Sequence, residues 1–241
     1  MIGAPGAWQV LAHDEPTAAA QMAYDQASAL AGLQMFRVFR WSRPAISLGW
    51  KQPRPAWMAT PAFGASDIEV VERPTGGGVA LHGSDLSCSA VVSYEPGARL
   101  HEVMDRIAGA VAAGLGQVGV PVQWLGEVPA SRRVIYCLAE TSSYALMSQG
   151  RKLCGFALRR FPGRLLVQGS LLVSEMPAAI RRALPEETRR AYRAQAITLE
   201  EAAGHALEPE AVRRALLDGW RSSSGFEAVV VSAAAVLSHA V

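Results

Sequence analysis

Between Ser142 and Ser174 the chain carries three strand-like segments parted only by short turns. That spacing restricts the fold more than any other feature. The segments are Tyr144-Ala145-Leu146-Met147, Lys152-Leu153-Cys154-Gly155-Phe156-Ala157 and Arg164-Leu165-Leu166-Val167, with turns at Gln149-Gly150 and Pro162-Gly163. Strands joined so tightly form a meander of antiparallel hairpins, because a parallel connection needs a long crossover. Earlier, Phe36 to Trp41 alternates apolar and polar, and Ala45 to Gly49, Asp67 to Val71 and Ser87 to Tyr94 also read as strands. Helical patterns bracket this middle. Pro16-Thr17 opens one through Gly32, and His101 to Leu115 repeats Val103, Ile107, Val111 and Leu115 on one face. Met176 to Leu184, Glu186 to Arg193 and Glu208 to Trp220 follow, with a capping box at Thr198-Leu199-Glu200-Glu201. Helices early and late around a strand-rich middle predict an α+β fold with a mixed, largely antiparallel central sheet flanked by helices.

Half of the 241 residues are apolar and 18% are charged, enough for one sizeable core. With no internal repeat or linker, residues 1–241 read as one domain, 175–241 being a small helical C-terminal extension too short for a full accessory domain. A net charge of +2 without basic runs argues against nucleic acid. Met1 to Pro16 lacks a basic start and apolar core, and no apolar stretch reaches membrane length; Ala228 to Val241 reads as a strand and a short terminal helix. A cytoplasmic protein that does not engage membranes is expected. Three cysteines without C-x-x-C spacing, and His13, His82, His101, His205 and His239 without ligand spacing, exclude a disulfide framework and a metal site from the expectation.

Three features could carry chemistry. Gly76-Gly77-Gly78 follows a strand through Arg73-Pro74-Thr75; such a loop is either a tight turn or a backbone cradle for a ligand. His82 lies just beyond and could border the same site. Cys137 is followed by polar Glu140, Thr141 and Ser142; it reads either as a small buried hydrophobe or as a nucleophile at a strand end. Lys152 enters a strand after a turn, where a lysine is ordinarily solvated. Yet it and Lys51 are the only lysines among 23 cationic residues, and an arginine cannot replace a titratable amine. Cys88 and Cys154 sit in apolar alternation and read as core.

Three segments resemble the lipoate–protein ligase and octanoyltransferase superfamily, which shares its fold with biotin–protein ligases. Trp41-Ser42-Arg43-Pro44-Ala45-Ile46-Ser47-Leu48-Gly49-Trp50-Lys51-Gln52 is similar to that family's W-x-x-P-x-[IV]-S-L-G-x-x-Q. Arg73 to His82 is similar to its R-R-x-[ST]-G-G-G-A-V-x-H. Gly150-Arg151-Lys152-Leu153-Cys154-Gly155-Phe156-Ala157, with Gln168-Gly169-Ser170-Leu171-Leu172 beyond, is similar to its G-[RK]-K-I-[AG]-G-S-A and H-G-S-[IL]-L. Cys137-Leu138, Ser143-Tyr144 and Gly150-Arg151-Lys152 fit the branch of cysteine-dependent octanoyltransferases that look like the ligases.

The resemblance implies an octanoyltransferase with Cys137 and Lys152 as catalytic residues. It implies substrate contacts at Arg73, Thr75, Gly76, Gly77, Gly78, His82, Gly155 and Ala157, with the glycine N–H groups lining the pocket. It implies no cofactor, octanoyl-acyl carrier protein as donor, and a lipoyl domain or glycine-cleavage H protein as acceptor for a monomeric enzyme. An apolar tunnel is expected for the acyl chain, and Arg132, Arg133, Arg159 and Arg160 are candidates for docking an acidic carrier. Glu72, Phe156, Leu158 and Gln168 depart from the pattern and are expected to alter the site, making it less polar. The rival readings are an ATP-dependent lipoate–protein ligase, a lipoyl amidotransferase between carrier proteins, and a non-catalytic acyl-binding protein.

Overall fold

The computed structural model describes residues 8–94, 96–127, 135–140, 142–223 and 228–229. Arg132, Arg133, Thr141, the first seven residues, and the terminal helix expected before Val241 lie outside them. In chain order the strands are β1 (Trp8–Ala12), β2 (Met35–Phe39), β3 (Ala45–Leu48), β4 (Glu69–Glu72), β5 (Ala80–His82), β6 (Asp85–Ser93), β7 (Gln123–Leu125), β8 (Ala145–Ser148), β9 (Arg151–Phe161), β10 (Arg164–Leu172) and β11 (Ala228–Val229). The α-helices are α1 (Ala18–Leu30), α2 (Pro61–Gly64), α3 (Leu100–Gln117), α4 (Ala178–Ala183), α5 (Glu186–Gln195), α6 (Leu199–Ala203) and α7 (Pro209–Ser223).

The large sheet has the order β11-β1-β2-β6-β10-β9-β8-β7, parallel at β11-β1-β2 and antiparallel across the rest. Gln149 and Gly150, with φ of +50° and +75°, make the β8-β9 turn left-handed at both positions, the geometry that suits a two-residue hairpin. The fold is the expected α+β arrangement. A second, small sheet, β4-β3-β5, stands apart from it. The segment β1 was not legible as a strand, since five residues ending in a loop give little periodicity; its partner β2 supplies the pairing.

One face of the large sheet is covered by α3 and α7. These helices cross in backbone contact: a Cβ on Gly219 would lie 2.4 Å from the Gly114 amide nitrogen, and one on Gly114 would lie 2.5 Å from the Ala215 carbonyl oxygen. Val212, Leu216 and Trp220 of α7 enter the main core, with the Trp220 ring stacked on Phe36 at 4.2 Å. The C-terminal helical segment is therefore built into the fold's centre. The other face is covered in part by α1, capped by Thr17 Oγ accepting from the Ala20 amide. A separate apolar cluster joins the small sheet to α4 and α5 through Ile46, Leu81, Leu138, Ile180 and Tyr192. Between that cluster and the large sheet runs the segment bearing Cys137.

Candidate active site

The site begins with an irregularity in β9. Leu146 of β8 pairs with Cys154, whereas the next residue, Met147, pairs with Lys152, so Leu153 is the extra residue of a bulge. Without it, Lys152 and Gly155 would face opposite sides of the sheet, because side chains alternate with period two. The bulge sends Leu153 and Cys154 together into the α3-α7 core and brings Lys152 onto the face of Gly155 and Ala157. Lys152 is 3% exposed, so the solvated reading fails. Its amine donates to the Cys137 carbonyl (2.7 Å), the Glu140 carbonyl (3.2 Å) and Ser142 Oγ (2.5 Å). Three acceptors match the three hydrogens of an ammonium. Burial lowers its pKa below the usual lysine value, against the opposing pull of Cys137, Cys154 and Glu140.

Cys137 is held by its own backbone. Its amide donates to the Val79 carbonyl (2.9 Å), and the Val79 amide donates to the Ile135 carbonyl (2.7 Å). The cysteine segment is thus stitched to the chain leaving the glycine triplet. Gly78 permits this approach, since a Cβ there would lie 2.6 Å from the Ile135 carbonyl oxygen. Gly77, at φ +89°, packs its carbonyl where a Cβ on Gly49 would stand. Gly76 donates its amide to the Leu158 carbonyl at 3.4 Å. The triplet serves close chain packing around the cysteine, and the Gly76 N–H expected to face the substrate is already engaged.

Arg73 clasps the same loop from inside. Its guanidinium donates to the carbonyls of Ser47 (3.0 Å), Gly76 (2.6 Å) and Gly78 (2.7 Å) and to Ser47 Oγ (3.2 Å). Among the described residues no carboxylate pairs with it. Burial pushes its pKa below the usual arginine value; the groups that oppose this electrostatically are Cys137 and Tyr192. Among the described residues Arg73 is thus a buried cation without a counter-anion, and the Cys137 thiol lines the same cavity.

A third group completes the surroundings. Ser47 Oγ and His82 Nε2 lie 2.8 Å apart, and His82 Nδ1 and Asp85 Oδ2 also 2.8 Å. Asp85 further accepts from Ser87 Oγ, Ser170 Oγ and the Gly83 amide. Burial pulls the Asp85 carboxyl up, but the charge and hydrogen bond of His82, with those of Gly83 and Ser170, hold it below the usual carboxylate value. The Trp41 ring stacks on His82 at 3.9 Å. Thr75 Oγ1 donates to Gln168 Oε1 (2.6 Å), whose amide nitrogen donates to Asp25 Oδ2 (2.6 Å), and Asp25 pairs with buried Arg37 (3.0 Å).

Cys137, Arg73, His82, Gly155 and Ala157 line one cavity with Ser47, Gln168 and others. Its volume is about 30 Å³, room for a water-sized group and not for an eight-carbon chain. Among the described residues that line it, no apolar tunnel of that length opens from this cavity. A larger pocket of about 400 Å³ opens beside α4 and α5, with Leu172, Met176, Tyr192 and Ile197 in its wall and arginines at its rim.

Two of the departures are not at the cavity. Phe156 packs in the α3-α7 core and Leu158 against it, on the opposite face from Cys137, so they do not make the site less polar. Gln168 does line the cavity. Glu72 is exposed, and its carboxylate accepts from the Lys51 amide (3.2 Å). Arg159 and Arg160 do not form one surface: Arg159 lies over Trp50 (4.1 Å) and bonds the Pro74 carbonyl, whereas Arg160 lies over Tyr94 (5.1 Å). Cys88 and Cys154 are core cysteines as expected; burial pushes the Cys88 thiol up to about 12 and Cys154 well above its usual value. Sequence reasoning missed Ser47, Asp85 and Ser142. Asp85 follows His82 by three residues, the one signal that could have exposed the pair.

A family model, the lipoyl protein ligase A/B catalytic domain, matches residues 15–221. Octanoyltransferase LipM of Symbiobacterium thermophilum is 30% identical over 238 residues, covering 90% of this chain and 86% of its own. Octanoyltransferase LipM of Kyrpidia tusciae is 28% identical over 240 residues, covering 90% and 87%. Among solved structures, lipoate-protein ligase A bound with ATP superposes with a TM-score of 0.72 at 19% identity, covering 95% of this chain and 90% of the other, and so shares its fold. Among the described residues no helix is long and apolar enough to cross a membrane, and no group of side chains could hold a metal ion.

Proposed function

Since this chain belongs to the lipoyl protein ligase A/B catalytic domain family, we propose that it is an octanoyltransferase that works through an acyl thioester on Cys137. The observation that carries this reading is the setting of Cys137. It is the one cysteine of three outside the apolar α3-α7 core, and it lines a cavity beside buried Arg73, which no carboxylate pairs among the described residues. Lys152 fixes its carbonyl from the other side.

In the first step the Cys137 thiol loses its proton and its sulfur attacks the carbonyl of an octanoyl thioester on acyl carrier protein. The donor C–S bond breaks, the carrier leaves as a thiol with that proton, and the octanoyl group remains on Cys137. Arg73 and Lys152 hold positive charge beside the attacking sulfur. In the second step a lysine amine of a lipoyl domain or H protein attacks the acyl-enzyme and forms the amide. His82, Gly155 and Ala157 of the cavity wall border the acyl group, while Thr75 lies behind the wall and holds Gln168. Side chains around this small cavity move to admit the chain, whose burial contributes about 0.8 kcal/mol per CH₂. With its hydrogens held by three protein acceptors, Lys152 acts here as the group that positions the cysteine segment.

Intact-mass spectrometry after mixing with octanoyl carrier protein tests this. One octanoyl adduct is expected, absent in Cys137→Ala. An adduct that persists in that variant refutes the nucleophile. Modification of a lipoyl domain by free lipoate and ATP, with no adduct from the carrier, assigns the chain to the ligases instead.

A further inference from the structure

The second step poses a proton problem. An acceptor lysine arrives as an ammonium, since its usual pKa is about 10.4, and an ammonium cannot attack a thioester. Lys152 is poorly placed to take the proton: all three of its amine hydrogens are donated to the segment carrying Cys137. Cys137 itself is acylated at that moment.

The geometry points to Ser47, His82 and Asp85 as a proton relay that deprotonates the incoming lysine. This rests on the acyl-Cys137 reading. Ser47 and His82 line the cavity that holds Cys137. The carboxylate of Asp85 accepts from His82 Nδ1–H (2.8 Å), which fixes Nε2 as the free acceptor facing Ser47 Oγ (2.8 Å). That carboxylate is itself held by Ser87, Ser170 and Gly83, and the imidazole plane by Trp41. Arg73 donates to Ser47 Oγ (3.2 Å), which eases loss of the hydroxyl proton towards His82. The charged and titratable groups around the relay are Asp85, Arg73, Cys137 and Tyr192. The cavity of about 30 Å³ accepts a group the size of an amine head.

The ammonium gives one proton to Ser47 Oγ as the Ser47 proton passes to His82 Nε2, leaving an imidazolium paired with Asp85. The neutral amine attacks the thioester carbon, forming the C–N bond. The C–S bond breaks, and the second nitrogen proton goes to the departing Cys137 sulfur. His82 then releases its proton to solvent. Ser47 touches the substrate amine; His82 and Asp85 act through it.

The test resolves the two half-reactions in Ser47→Ala, His82→Gln and Asp85→Asn, with thermal melting of each. Acyl-enzyme is mixed with a lipoyl domain or with hydroxylamine, an amine already neutral at working pH. The relay predicts that transfer to the lysine falls about 100-fold further than acylation, the usual worth of a positioned base. Hydroxylamine clearance of the acyl-enzyme should fall far less than transfer to the lysine. If hydroxylamine clearance slows as much as lysine transfer, the residues only shape the cavity and the relay is overturned. Variants that pass the acyl group on at the wild-type rate overturn the relay alone. A wild-type protein that forms no acyl-enzyme overturns the Cys137 reading and the relay with it. Ser47→Ala, which removes one buried oxygen, carries the test should His82→Gln fail to fold.

Discussion

Gly155→Ala perturbs the proposed nucleophile without removing any chemical group. The backbone at Gly155 accepts an L side chain, since its φ is not positive. The added Cβ would stand 2.9 Å from Cys137 Sγ and 3.4 Å from Lys152 Cε. Unbonded atoms of this kind need roughly 3.6 Å, so the sulfur must give way by about 0.7 Å. A misplacement near 1 Å costs a reacting group about 100-fold, so acylation should slow on the order of 30-fold or more. The overpacking itself costs about 1–3 kcal/mol, a melting drop of roughly 2–4 °C for each kcal/mol in a domain of this size. Intact-mass spectrometry at timed intervals reads the acylation rate, and differential scanning fluorimetry the stability. An unchanged acylation rate in a folded variant refutes the placement of the Cys137 sulfur as the reacting atom.

Lys152→Met should show how burial acts on the amine. The folded pKa lies below its usual 10.5, so above that lowered value the unfolded chain holds more protons and the lysine's penalty is relieved as pH rises. Wild-type stability relative to Lys152→Met should therefore increase from pH 8 to pH 10, read by urea unfolding at each pH; a falling difference contradicts the assignment. Alkylation with iodoacetamide at pH 8 should label Cys137 alone, because burial holds the Cys88 thiol at about 12 and Cys154 also high; peptide mapping that finds Cys88 modified in the folded protein counts against this. Gly219→Val should lower the melting temperature by about 6 °C or more, from an overpacking cost near 3 kcal/mol where two helix backbones touch; a neutral effect contradicts the crossing.

The hairpins were legible because each strand spans a run of apolar residues ended by a turn with glycine, and β9 and β10 only extend those runs. Helix α6 was legible through Thr198, whose Oγ1 accepts from the Glu201 amide. The bulge at Leu153 was not, since a bulge leaves the residue pattern intact and changes only which face each residue meets. Phe156 was therefore read as a site residue although it packs in the core. The lysine was legible as unusual but not as buried, because three oxygens that satisfy it come from a segment 10 to 15 residues earlier. The Ser47–His82–Asp85 chain needed the small sheet to be seen, for β3 and β5 pair antiparallel and set Ala45 against His82.

The bulge also sets a rule of parity on this stretch of chain. Four residues stand between the Gln149-Gly150 turn and Gly155. In a regular strand of that length Lys152, three positions before Gly155, would face the helices and its amine would meet hydrocarbon. The extra residue at Leu153 turns it to the cysteine side. Deletion of Leu153 would leave a regular strand with Lys152 two positions before Gly155, still on that side, and a leucine-sized vacancy in the α3-α7 core. The direction of the amine is therefore set by chain length and bulge together.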